Sequence, residues 1–252
     1  MGCDCECKSM VRAHVTPAAA ADAPAPMAPL VIKYWACHGR CRGLFQMLAE
    51  TNTPYEHVTD MGAFGAAHFG AATANLAPPI VVDGALVLSQ TVAVYTYVGK
   101  KLGFTCGIDT PAAEAQALQF MTDMNELHSE LMAEANAGQA TNDVAALQAH
   151  LTGSRYKSHL AAIDRMLQGT YFFGGEAPSY VDHYADFVVT ICYEKFLKPV
   201  EGKSGDTLAA NAPKLMGMLA KLRARPSARQ LPDLPAVPPE LVIPEARVAT
   251  WK

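Results

Sequence analysis

The chain has 252 residues, half of them hydrophobic and 17% charged, with a formal net charge of −4. That composition belongs to a globular protein, and its mild acidity argues against a nucleic-acid coat protein. No apolar run approaches the roughly 20 residues of a membrane-spanning helix, and the first residues lack the apolar stretch of a secretion signal.

Residues 1–29 read as a disordered N-terminal tail. Thr16 to Pro29 is nearly all Ala and Pro, too poor in large side chains to offset the entropy of ordering it. Its opening, Met1-Gly2-Cys3-Asp4-Cys5-Glu6-Cys7, admits three readings. They are dual acylation at Gly2 and a cysteine, a soft-metal site of alternating thiols, or a plain tail with oxidisable cysteines. Seven cysteines, an odd and uneven set, do not form a disulfide framework, and a reducing compartment fits them better.

Leu30 to Trp35 is a strand candidate, rich in β-branched and aromatic residues. Cys41, Leu44, Phe45 and Leu48 then fall on one face of a helix, stopped by Asn52-Thr53-Pro54. Tyr55 to Val58 is a second strand, and residues 59–77 are Ala/Gly-rich with no clear pattern. Ile80-Val81-Val82, Asp83-Gly84 and Leu86-Val87-Leu88 predict a hairpin, followed by a helix over 90–102 closed by Gly103. The order β-α-β-(irregular)-β-β-α suits a thioredoxin-like α/β unit over 30–104.

Beyond Pro111 no strand is expected. Phe120, Met124, Leu127 and Leu131 define one long amphipathic helix. Further helices are predicted over 142–167, 179–197 and 207–224, the second of these opening on Ser179 with Asp182 three positions on, close to a capping box. The fold class expected is therefore α/β plus all-α: a thioredoxin-like domain (30–104), a helical bundle (111–230) and a Pro-rich tail (231–252).

Three stretches within this layout resemble the glutathione transferase superfamily. Tyr34-Trp35, followed by Gly39-Arg40, is similar to the first-strand signature of its mu and sigma classes. Pro78-Pro79-Ile80-Val81-Val82-Asp83-Gly84, then Ser89-Gln90-Thr91, resembles the cis-proline strand, the Asp-Gly turn and the Gln-Ser motif. Ser179 to Asp182 sits where that family has a helix capping box. The resemblance covers roughly residues 30–230. It implies a mu/sigma-like, Tyr-type enzyme that uses glutathione as co-substrate and needs no metal or other cofactor. It also implies a detoxifying conjugation of glutathione to a small electrophile, a cytoplasmic location and a homodimer.

By that resemblance Tyr34 is the catalytic residue, and Trp35, Pro78, Pro79, Gln90 and Thr91 hold glutathione. The chemistry is sound on its own terms. A thiolate is the nucleophile, and a free thiol is mostly protonated at neutral pH. A phenol at the end of a strand can donate a hydrogen bond that favours the anion. Each unit of pKa depression needs about 1.4 kcal/mol, within the about 1.5–3 kcal/mol of one hydrogen bond to a charged group.

The pattern departs from the family in places. His38 stands where the mu pattern has Arg, and 55–77 holds no Lys or Arg for glutathione's glycyl carboxylate. His57, His68, Arg40 or Arg42 are the candidate substitutes. The cis bond can precede Pro79 or Pro78, and in the first case Pro78 has no N–H to offer. Two other functions remain open: a Cys37-dependent thioltransferase or dehydroascorbate-type reductase, and a non-catalytic binding module on the same fold. Membrane contact is expected only through Gly2 and Cys3 acylation, and nucleic acid is not an expected partner.

Overall fold

The computed structural model describes residues 29–60, 75, 77–141, 149–150, 153–191 and 208–235. Strand β1 (Leu30–Lys33) buries Leu30 and Ile32 on one side, as the two-residue strand period requires. A short 3₁₀ turn (Gly39–Cys41) leads into helix α1 (Arg42–Glu50), and β2 (Tyr55–Val58) returns parallel to β1. The predicted apolar face of α1 is buried in full: Cys41, Leu44, Phe45 and Leu48 are at most 1% exposed. Asn52, with φ +50°, turns the chain out of the helix.

The hairpin β3 (Ile80–Asp83) and β4 (Leu86–Leu88) adds antiparallel to β1, giving the order β2-β1-β3-β4. Gly84, at φ +58°, takes the left-handed position that the hairpin turn demands. Helix α2 (Thr91–Lys101) follows, and Gly103 ends it at φ +82°. Tyr97 and Lys101 on α2 both bond the Asp83 carboxylate, tying helix to hairpin.

Every regular element among the described residues of the second half is helical. It comprises α3 (Pro111–Thr141), α4 (Ser154–Met166), α5 (Tyr180–Val188), α6 (Leu208–Asn211) and α7 (Pro213–Ala224). Phe120, Met124, Leu127 and Leu131 of α3 are all buried, as their spacing predicts. Helix α5 is the hub: every residue of it is buried, and it packs on α1, α2, α3 and α7.

Several boundaries differ from the sequence reading. β1 ends at Lys33, so Tyr34 and Trp35 lie just beyond the strand. The helix expected over 142–167 is seen from Ser154, with 142–148 and 151–152 outside the described residues. That expected over 179–197 runs as α-helix to Val188 and widens to π turns at 189–191, and 192–200 lie outside the described residues. That expected over 207–224 is two helices. Pro213 disfavours the helical conformation at the residue before it, and Ala212 accordingly sits at φ −141°, ψ 62°. A further 3₁₀ turn spans Pro226–Arg229.

The α5 N-terminus carries the expected capping box. Ser179 Oγ accepts from the Val181 N–H at 3.3 Å, and Asp182 accepts from the Ser179 N–H at 2.8 Å. Asp182 also takes the Phe172 N–H at 3.0 Å, so one buried carboxylate fixes both the helix and the loop before it. Replacing Asp182 by Ala leaves these donors unpaired in the interior. We expect a loss of about 2–4 kcal/mol in urea unfolding. A loss below about 0.5 kcal/mol would contradict this role.

Candidate active site at the end of the first strand

Tyr34 extends β1 by one backbone bond, its N–H donating to the Val58 carbonyl at 3.1 Å. Alternation puts its side chain on the same side as Leu30 and Ile32, and the ring is 5% exposed. The ring lies against Gly39. A Cβ at that position would meet the ring edge at 2.4 Å and the hydroxyl at 2.5 Å, and Gly39 also has φ +42°. Only glycine meets both demands. Because it is glycine, the next residue comes close enough for the Arg40 N–H to donate to the Tyr34 hydroxyl at 3.0 Å.

That bond uses the phenol as an acceptor. Among the described residues, none takes the phenol's own proton. Burial, with the Cys41 thiol beside it, pushes the phenol pKa up, against the opposing effect of the Arg40 N–H. The group therefore stays protonated near neutrality, able to donate a hydrogen bond and not suited to act as a base. A donor that already accepts one hydrogen bond is polarised and donates more strongly.

Arg40 joins several parts of the site. Its guanidinium donates to Thr91 Oγ1 at 3.3 Å, at the start of α2, and has no acidic partner among the described residues. Its carbonyl accepts from the Tyr95 hydroxyl at 3.0 Å. Its charge reaches His128 on α3, which is 3% exposed and has an Nδ1 without a hydrogen-bond partner among the described residues. Burial, then the Arg40 charge, lowers the His128 pKa to about 3, so this imidazole is neutral.

The other expected site residues are placed as follows. Trp35 is 44% exposed and meets the Tyr34 ring edge-on at 5.0 Å between centroids, which rules out a core-packing role for it. The cis bond is Pro78–Pro79, so the residue preceding the cis proline has no N–H, and a cis Ala77–Pro78 bond is excluded. Thr91 is 3% exposed. Gln90 is exposed, at φ +73° and ψ 119°, and its side chain caps nothing.

Of the candidate substitutes for a basic residue in 55–77, Arg42 is committed elsewhere: its Nε donates to the buried Asp186 at 2.7 Å. Arg40 carries no such pairing among the described residues. His57 is half-buried, with an Nε2 that has no hydrogen-bond partner among the described residues, and His68 lies outside those residues. His38, where the mu pattern has Arg, instead holds the chain after α7. Its backbone N–H donates to the Pro235 carbonyl, and its Nε2 to the Pro232 carbonyl, both at 2.8 Å. Cys37 and Cys41 are 1% and 0% exposed, and burial pushes the Cys41 thiol well up.

Sequence reasoning missed Tyr95 and His128. Each looks like one more apolar position on its helix, and nothing in the local pattern marks its polar atom. Arg40 was noted only as part of a motif and as a substitute cation.

No protein-family model matches this chain, and no curated protein sequence matches it. Solved structures do. The Pi-class glutathione S-transferase of Onchocerca volvulus superposes with a TM-score of 0.60 at 14% identity, over 81% of this chain and 91% of that one. Rat hPGDS complexed with a quinoline gives 0.62 at 17%, over 82% and 98%. The Ascaris lumbricoides glutathione S-transferase gives 0.60 at 18%, over 81% and 95%. The chain thus has the glutathione S-transferase fold, a thioredoxin-like N-terminal part followed by a helical one.

The strain at Gln90 is open to test. A non-glycine residue at this φ and ψ carries about 1–3 kcal/mol. Gln90→Gly should stabilise the protein by about 1 kcal/mol after the entropy cost of glycine, measured by thermal or urea unfolding. A destabilised Gln90→Gly would show that the side chain, not the backbone, governs this position.

Proposed function

We propose that the protein is a glutathione transferase in which the glutathione thiol loses its proton to solvent and Tyr34, keeping its own proton, donates a hydrogen bond that holds the sulfur as a thiolate. The observation that carries this reading is the Tyr34 hydroxyl itself. It accepts from the Arg40 N–H at 3.0 Å, is kept protonated by burial, and has no acceptor for its own proton among the described residues. Such a group is a donor awaiting an anion, and its low-dielectric setting strengthens what it gives.

The remaining parts of the glutathione site follow the same reading. The peptide lies along the strand entered through the cis Pro78–Pro79 bond, beside Trp35. Its γ-glutamyl carboxylate meets Gln90, Thr91 and the N–H groups opening α2. The Arg40 guanidinium, bonded to Thr91 Oγ1 at 3.3 Å and without an acidic partner among the described residues, adds the positive charge that a carboxylate-bearing ligand requires. The thiolate attacks a small electrophile held against the helical half. Carbon–sulfur bond formation takes the sulfur lone pair, and the leaving group or the new carbanion takes the electrons. No metal or other cofactor enters this scheme. The unbridged Cys37, Cys41 and Cys106 suit the reducing cytoplasm in which we place the enzyme. Disulfide exchange at Cys37 is not favoured, because that side chain is only 1% exposed and an attacking thiol must be accessible.

Tyr34→Phe should lower kcat/KM for conjugation by about 100-fold. The variant should still be retained on immobilised glutathione. Conjugation unchanged in Tyr34→Phe would remove Tyr34 from the chemistry, and a wild-type protein that binds glutathione without conjugating any electrophile would make it a binding module.

We also propose a two-fold homodimer. Leu86 and Val87 on the edge strand β4, and Leu118 on α3, are 38%, 42% and 53% exposed, an apolar presentation that self-association would cover. Sedimentation equilibrium should give twice the chain mass, and a monomer at micromolar concentration would contradict it.

A further inference from the structure

The Arg40 N–H can polarise Tyr34 only while its aim is fixed, and the structure shows what fixes it. Tyr95, on α2, is fully buried. Its hydroxyl sits inside the turn that carries Arg40, donating to the Arg40 carbonyl and accepting from the Gly43 N–H, each at 3.0 Å. Gly43 is in the first turn of α1, where the helix leaves its own N–H groups unpaired. One oxygen atom therefore ties the turn to the helix that follows it.

The ring bearing that oxygen cannot shift. It is wedged edge-on against Tyr184 at 5.0 Å and lies against Phe187 at 5.8 Å, both on α5. On the other side, a Cβ at Gly43 would meet the Tyr95 ring at 2.8 Å and the His183 carbonyl at 2.4 Å, so α1 and α5 close tightly around it. An unbroken series results: the helical half holds the Tyr95 ring, Tyr95 holds the Arg40 turn, and the turn holds the Tyr34 hydroxyl.

We propose that Tyr95 is a positioning residue that sets the reactivity of the sulfur bound at Tyr34, acting through the Arg40 turn. The inference rests on the glutathione transferase reading above. Tyr95 is one turn of α2 away from Thr91, and its only proton is given to the Arg40 carbonyl, so its effect on catalysis passes through the backbone. Removing its oxygen leaves the Arg40 carbonyl and the Gly43 N–H without this partner. The turn then relaxes, the Arg40 N–H withdraws from Tyr34, and the phenol becomes a poorer donor to the thiolate.

The test is the pH dependence of kcat/KM for conjugation in Tyr95→Phe, beside wild type and Tyr97→Phe. Tyr97 lies on the same helix but bonds Asp83 at the hairpin, so it controls for loss of a tyrosine hydroxyl. In Tyr95→Phe the apparent pKa of the bound thiol should rise by about 0.5–1 unit, seen as a three- to tenfold loss of kcat/KM below that pKa. The KM for glutathione should change by less than about twofold, and Tyr97→Phe should follow wild type. If Tyr95→Phe melts earlier yet keeps the wild-type pH profile, its hydroxyl is only structural and the proposal is overturned. A variant too unstable to purify alone is prepared with glutathione present throughout, since a bound ligand raises the folded fraction. Absence of conjugation by wild type would instead defeat the underlying reading, so the two failures are distinguishable.

Discussion

One hydrogen bond organises the site: the Arg40 N–H donating to the Tyr34 hydroxyl. It depends on Gly39, where both the positive φ and the pressure of the Tyr34 ring exclude any side chain. Burial, against the opposing effect of this bond, decides the chemical character of the phenol. With its oxygen accepting and its burial disfavouring ionisation, Tyr34 has one capability left, which is to give a proton in a hydrogen bond. A basic phenolate would be a different kind of site.

The bond is local, but its geometry is set from the other half of the chain. Helix α5 packs on α1 and α2, and its Asp186 collects Arg42 from the end of the turn, Gln46 from α1 and Arg223 from α7. Burial alone would raise the Asp186 pKa, but the two guanidinium groups hold it below the usual carboxylate range. A carboxylate this deep keeps its charge only because its partners are fixed, and fixing them aligns α1 with the helical half. The capping box at Ser179 and Asp182 sets where α5 begins, so its influence reaches the site through packing alone.

Much of this was legible in the sequence because short-range rules governed it. The β-branched and aromatic run of β1, the Asp83-Gly84 turn and the buried stripe Phe120, Met124, Leu127, Leu131 each express one local preference. The capping residues Ser179 and Asp182 do the same. The break between α6 and α7 was equally local, since Pro213 forbids the helix one residue before it, yet it was read through. The site was legible in residue type and not in arrangement. Tyr34, Gly39 and Arg40 stand in a recognisable spacing, but the Arg40 contacts to Thr91 and Tyr95 join positions 51 and 55 residues away. His38 was marked as a departure from a pattern. Its partners, the carbonyls of Pro232 and Pro235, lie more than 190 residues beyond it.

The central claim is that this pocket favours sulfur as an anion. Ultraviolet difference titration of wild-type protein saturated with glutathione measures that directly, because the thiolate absorbs where the thiol does not. The account predicts a thiolate band already present at neutral pH, with a bound pKa at least about one unit below that of free glutathione. A bound thiol that titrates where free glutathione does would contradict it.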